Sequence, residues 1–281
     1  MSVSAGVVGQ AGPARRGRRI SRRTADLLPP MLVFIGVIVF WELSVTLLDL
    51  RDFLFPRPTA IARALVDNWS SGTYAMFPSW QATILEAIGG LFIGTFAGVV
   101  VALVTARWIS ARDALMPLAI AAGAVPIVAF APLMNNWFGT LSPLSKMMMA
   151  AALVFFPVMV NVTRGLVQVD ASALELMRSY AASEWVVVRK VRIPNALPFF
   201  FTALRLATTL SLIGAIVGEY FGGSSLVLGR IIVQGSSALR FDITWAAVVT
   251  AAVTGIVLYL AVVAIERVVM PWHASMRSHD P

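Results

Sequence analysis

The residues able to do chemistry are few. The lysines are Lys146 and Lys190, the histidines are His273 and His279, and cysteine is absent. Neither lysine ends a Gly-x-x-x-x-Gly-Lys-Ser/Thr loop, so the chain has no phosphate-cradling P-loop of its own. Both histidines fall near the C-terminus, with no His/His or His/Glu spacing that would ligate a metal, and no thiolate is available. No Gly-x-Ser-x-Gly elbow is present. These absences argue against a self-sufficient hydrolase or ATPase and for no cofactor or metal on this chain. Three carboxylates sit within apolar runs, Glu42, Glu86 and Glu219. A carboxylate in hydrocarbon is costly and turns toward a cavity or a partner. Glu219 is therefore a candidate gate residue. The plainer reading places Glu86 and Glu219 at the interface, bonded to neighbouring backbone. One stretch concentrates charge: "ELMRSYAASEWVVVRKVRIPNALP", Glu175 to Pro198, carries two glutamates and the bases Arg178, Arg189, Lys190 and Arg192.

The elements that must hold these groups are apolar helices. Of 281 residues 58% are hydrophobic and 13% charged, with a mean hydropathy of +0.82. Water-soluble domains lie nearer half apolar and a quarter charged. Spans need ~20 apolar residues each, and six can be drawn, near Leu28–Leu48, Thr83–Ala106, Leu115–Leu133, Met147–Val162, Leu197–Val217 and Trp245–Val269. The third contains Pro117, Pro126 and Pro132. The first follows a long polar lead without a clear small-residue cleavage site, and reads as an uncleaved span rather than a signal peptide. The expected class is an all-α membrane protein. Gly90, Gly94 and Gly98 recur every four residues on one helix face, which suits close helix packing better than pore lining.

Net charge is +8. Arg15, Arg16, Arg18, Arg19, Arg22 and Arg23 precede the first span, as basic residues do on the cytoplasmic side. A nucleic-acid arm is disfavoured, since no soluble domain follows it. With the N-terminus inside, sixteen basic residues fall on inner segments and six on outer ones, Arg51, Arg57, Arg63, Lys146, Arg230 and Arg240. The asymmetry predicts a multi-pass protein of the cell membrane with both termini cytoplasmic. The expected organisation is a basic tail over 1–27, and the first span with an outer amphipathic segment over 28–79. A core follows over 80–272, then a tail over 273–281. The outer segment Asp49–Trp80 should hold a short surface helix, and Ser224–Ser237 a short interfacial or re-entrant helix.

Within 170–194, Asp170 can cap a helix over "ASALELMRSYA". Ser183 can cap a second over "EWVVVRKV", with charges matched to the helix dipole and Pro194 as its stop. The pair would lie on the cytoplasmic face. Its apolar side needs either the lipid surface or a groove on another protein.

At this point the sequence resembles a known family. Binding-protein-dependent ABC importer permeases carry E-A-A-x-x-x-G followed by I-x-L-P, the proline thirteen residues after the glycine. Glu175 takes the first position, Ala181 the glycine position and "VRIP" at Val191–Pro194 the end, with that spacing kept. Leu176, Met177, Ala181, Val191 and Ile193 depart from the pattern. Because alanine resists a left-handed turn, the turn is expected to become continued helix or to move. "AVPIVAFAPLMNNWFG" (Ala124–Gly139) with "SK" at Ser145–Lys146, and "GEYFGG" (Gly218–Gly223), look like the nitrate/sulfonate/taurine-type permeases. The resemblance covers roughly Trp80 to Trp272.

The resemblance implies a type I importer permease fold of about six transmembrane helices with a cytoplasmic coupling helix. It implies a dimer, a homodimer by family precedent. Two separate ATPase subunits would carry the ATP and Mg and accept the coupling helices, and an extracytoplasmic binding protein would deliver the solute. Glu175, Arg178, Ser179, Tyr180, Ala181 and Trp185 would form the docking surface, with Pro194 setting the angle to the fifth span. Each could instead pack within the permease. The solute class is small and organic (nitrate, sulfonate, taurine or pyrimidine precursor), and the absence of an obvious cationic site favours a small heterocycle or other neutral organic solute. The competing reading is an ATP-independent secondary transporter or channel, which would show an ion-coupling charge or an internal repeat.

Overall fold

A computed structural model describes residues 19–51, 55–123, 125–224 and 226–271, the side chains of 19–27 and 109 excepted. The arginines up to Arg23, and His273, Arg277 and His279, thus have no described side chain. Among the described residues there are helices and no strand. The helices are α1 (Arg19–Leu47), α2 (Pro58–Asp67), α3 (Met76–Arg107), α4 (Ile109–Ala122), α5 (Phe130–Phe138) and α6 (Pro143–Val167). They continue with α7 (Ala171–Ser179), α8 (Glu184–Val187), α9 (Ile193–Phe221), α10 (Leu228–Ser237) and α11 (Phe241–Val269).

Five helical runs are long and apolar enough to cross a membrane. The sixth expected span is a bent pair. Gly123 and Pro126 interrupt the apolar run, and helix axes on either side meet at 90°, because proline cannot donate to the preceding turn. α6 starts earlier than hydropathy alone suggests: Pro143 suits the first helical position, and the Ser142 hydroxyl accepts the Leu144 N–H at 3.2 Å.

α3, α6 and α9 form the centre of the bundle. Small residues allow this. A Cβ at Gly94 would lie 2.5 Å from the Ala151 carbonyl oxygen, and one at Gly98 2.9 Å from that of Phe155, so α3 meets α6 backbone to backbone. Gly214 of α9 packs in the same way on Ala150 of α6. The glycine stripe is therefore a packing face, as its spacing predicts. Between the helices, polar groups pair with each other: Thr105 with Thr163 at 2.8 Å, and the Trp80 indole N–H donating to Thr254 at 2.8 Å.

α1 stands at the edge with most of its aliphatic side chains exposed. Glu42 in that span turns to a partner within the chain. Its carboxylate accepts the Thr59 N–H at 3.1 Å and the Thr59 hydroxyl at 2.8 Å, tying α1 to the first turn of α2. α2 and α10 are the two short helices expected between spans; α10 buries Leu228, Gly229, Ile231, Ile232 and Gly235.

Candidate coupling segment and gate

α7 forms as the local sequence dictates. The Asp170 carboxylate accepts the Ser172 N–H at 3.0 Å and hydroxyl at 2.9 Å. These bonds, the hydroxyl's first, hold the Asp170 carboxyl below its ordinary value because they favour the charged form. At the other end the Ala182 N–H reaches the Met177 carbonyl at 3.0 Å and the Ala181 N–H that of Arg178 at 2.9 Å. This bond pair is a Schellman closure, and it requires a left-handed residue. Ala181 supplies it, with φ +48°. The turn thus stays at the family's glycine position, contrary to the expectation that alanine would move it. The two backbone bonds offset a side-chain penalty of about 1–2 kcal/mol.

The second helix departs from expectation twice. Ser183 occupies the capping position, but its side chain makes no capping bond. Pro194 does not stop the helix. α8 runs into a wide turn over Val188–Arg192, in which the Ile193 N–H reaches back five residues to the Val188 carbonyl, and then directly into α9. The widening accommodates Pro194, whose ring and missing N–H would break a regular turn inside a helix. Glu184–Phe221 is one helical run of 38 residues.

Glu175, Arg178, Ser179, Tyr180, Ala181, Trp185 and Pro194 are all exposed. Tyr180 is 75% and Trp185 69% exposed, so neither packs within this chain. Leu176, passed over as a family departure, is a third large apolar side chain left open there, at 54%. The segment is nevertheless anchored. Asn195 donates its amide to the carbonyls of Gly165 at 2.7 Å and Gln168 at 3.0 Å, satisfying the end of α6. Nothing in the local sequence singles out Asn195 for this.

At the opposite end of the bundle Glu219 is fully buried, and Glu86 is 4% exposed. Both are enclosed by the protein itself, with Gly229 of α10 packed against Glu219. The Glu219 carboxylate does bond neighbouring backbone, accepting the Gly229 N–H at 2.6 Å. Lys146 belongs to α6, not to a loop, and is 1% exposed. Its ammonium donates to the Thr140 carbonyl and, at 3.4 Å each, to Asn135 Oδ1 and the Ser142 carbonyl. Toward the coupling end, Arg205 pairs with Glu266 of α11 at 2.9 Å.

A cavity of about 450 Å³ opens between α3, the α4–α5 bend, α6 and α9. Ile93, Phe130, Met134, Met148, Phe155 and Phe156 are among its walls, and no charged side chain lines it among the described residues.

Comparison with known proteins joins these observations. Residues 90–272 match the family described as "Binding-protein-dependent transport system inner membrane component". A probable ABC transporter permease protein of Haemophilus influenzae is 32% identical over 84% of this chain and 94% of its own. The riboflavin transport system permease protein RibX of Chloroflexus aurantiacus is 31% identical, covering 88% of this chain and 90% of its own. The formylaminopyrimidine transport permease protein ThiX of Halalkalibacterium halodurans is 29% identical, covering 89% and 98%. Among solved structures, a chain of the MetNI methionine ABC transporter in inward-facing conformations shares the fold, with a TM-score of 0.54 at 17% identity over 74% of this chain and 97% of that one. This chain belongs to the binding-protein-dependent transport system inner membrane components, and is an ABC importer permease of the nitrate/sulfonate/taurine type.

Proposed function

We propose that α7 and α8 are the coupling segment through which two separate ATPase subunits, carrying ATP and Mg, drive this permease. The observation that carries this reading is the open set Leu176, Tyr180 and Trp185 on a segment fastened at Asn195 and continuous with a span. Aromatic anchors of this kind dominate interface energetics, and Glu175 and Arg178 beside them supply polar contacts. Pro194 sets the direction in which α8 leaves α9. An extracytoplasmic binding protein hands solute to the opposite end, where Glu219 is the gate residue. Two copies of the chain form the path. Both termini lie in the cytoplasm in this reading, which the basic tail and the sixteen-to-six distribution of arginine and lysine support.

The solute is a small neutral organic molecule, a heterocycle by preference. The uncharged cavity wall supports this, as an apolar pocket favours an uncharged ring over an anion. The names of the relatives from C. aurantiacus and H. halodurans, a riboflavin and a formylaminopyrimidine permease, point the same way.

Purification of the tagged full-length chain from its own membrane, followed by mass spectrometry, tests the reading. A co-purifying P-loop ATPase is expected. Glu175→Lys is expected to abolish ATP-driven uptake while the protein still inserts and dimerises. Uptake that needs no ATP would overturn the proposal in favour of a transporter or channel working alone.

A further inference from the structure

The two sequence motifs outside the coupling segment, "NNWFG…SK" and "GEYFGG", meet at one place. Lys146 crosses from α6 to the turn between α5 and α6, donating to Asn135, Thr140 and Ser142. The glycines of the second motif close on that side chain. A Cβ at Gly218 would lie 3.1 Å from Lys146 Cγ, and one at Gly222 2.6 Å from Thr140 Cγ2 and 2.9 Å from the Asn135 amide nitrogen. Glu219, from the same motif, turns the other way and receives the Gly229 N–H of α10. The Thr83 hydroxyl of α3 accepts the neighbouring Leu228 N–H at 3.0 Å and lies against Glu219. Glu86, one turn along α3, faces Glu219 carboxyl to carboxyl. Five separate pieces of chain, α3, the α5–α6 turn, α6, α9 and α10, are thus held by one buried ammonium and two buried carboxyl groups.

Apolar side chains would hold static helices together as well or better, since burying charge is costly. What a polar knot adds is an alternative: when its partners separate, every member can be hydrated, so it has an assembled and a wet arrangement rather than a continuum. We propose that Lys146 and Glu86 act with Glu219 as positioning residues of a latch that keeps α10 and the α5–α6 turn closed over the path, at the end away from the coupling segment. The latch rests on the importer reading for its place in the transport cycle. Its geometry does not.

The native chain lacks cysteine, so single introduced cysteines report local opening cleanly. Ser79 is buried on α3 one turn before Thr83, and Thr105 is buried at the far end of the same helix. Each is replaced by cysteine in the full-length chain in membrane vesicles, and its reaction rate with methanethiosulfonate ethylammonium is measured. Combined with Lys146→Met or Glu219→Gln, the Ser79→Cys rate is expected to rise on the order of tenfold or more, while the Thr105→Cys rate stays unchanged. Gly229→Ala tests the same latch by shape, and holds if Lys146→Met does not fold. Its Cβ would meet Glu219 Cβ at 2.6 Å, and it should also speed Ser79→Cys. Unchanged Ser79→Cys rates in the folded variants would overturn the latch. Equal rises at Thr105→Cys would do so too, showing general loosening. A chain that never co-purifies with an ATPase would sink the importer reading and leave these rates unaffected.

Discussion

Replacing Gly94 by alanine adds one methyl group where the backbone of α6 already stands. The new Cβ would lie 2.5 Å from the Ala151 carbonyl oxygen and 2.8 Å from Val154 Cβ. Neither neighbour can rotate away: one is helix backbone, and the other is the branching carbon of a fully buried valine. α3 must therefore withdraw by roughly 1 Å, a gap that forfeits a quarter to a half of each dispersion contact along the seam. Overpacking of this kind costs about 1–3 kcal/mol. Gly36→Ala is the matched control. Nothing lies within 4 Å of its added Cβ on α1, and alanine suits a helix interior better than glycine by about 0.5–1 kcal/mol. Reversible denaturant titration of the purified chain in detergent, followed by tryptophan fluorescence, reads both. Gly94→Ala should shift the folding equilibrium on the order of 5- to 150-fold toward the unfolded state, and Gly36→Ala should not. Equal stability of the two variants would refute the claim that α3 and α6 are in backbone contact.

Ala181→Gly should stabilise the end of α7 by about 0.5–1 kcal/mol net of glycine's entropy cost, read as slower amide exchange at residues 181 and 182 with uptake unchanged. The Asp170 carboxyl, held below its ordinary value of 3.8, contributes stability above that pH and loses it as pH falls through the lower folded value. Protection of the α7 amides, relative to the exchange of an unstructured chain at the same pH, should therefore fall in acid in the native chain, whereas Asp170→Ala should lack that step. Arg205→Leu leaves Glu266, 4% exposed, without its cation. It should cost about 2–4 kcal/mol, moderated because Arg205 is itself a third exposed. Arg205→Leu/Glu266→Gln should recover most of the loss, as measured by the unfolding midpoint.

How much of this was legible from the chain depended on how local the cause was. The spans could be read because long apolar runs report helix and burial together, and Gly90, Gly94 and Gly98 announced a packing face by spacing alone. Asp170 was legible as a cap because its partner is two residues away. Pro194 misled because the wide turn that accommodates it is a property of the whole run from α8 into α9. Ala181 misled because intrinsic preference gave way to two backbone bonds. Lys146 looked like a loop residue. Its burial depends on Asn135, Thr140 and the glycines of a segment more than seventy positions on, which no local pattern reveals.

The run from Glu184 to Phe221 has a mechanical consequence. At ~1.5 Å per residue it is about 57 Å long, with Trp185 near one tip and Glu219 near the other. Between them it is clasped to α6 at two close backbone approaches, where a Cβ on Gly165 would meet Ala196 at 2.8 Å and one on Gly214 would meet Ala150 at 2.6 Å. Two clasps eighteen residues, or about 27 Å, apart leave no pivot between them, so α9 moves with α6 as one body. If α7 and α8 are the coupling segment proposed above, a push at Trp185 would shift that pair together, and Glu219 on α9 would travel with Lys146 on α6 rather than away from it.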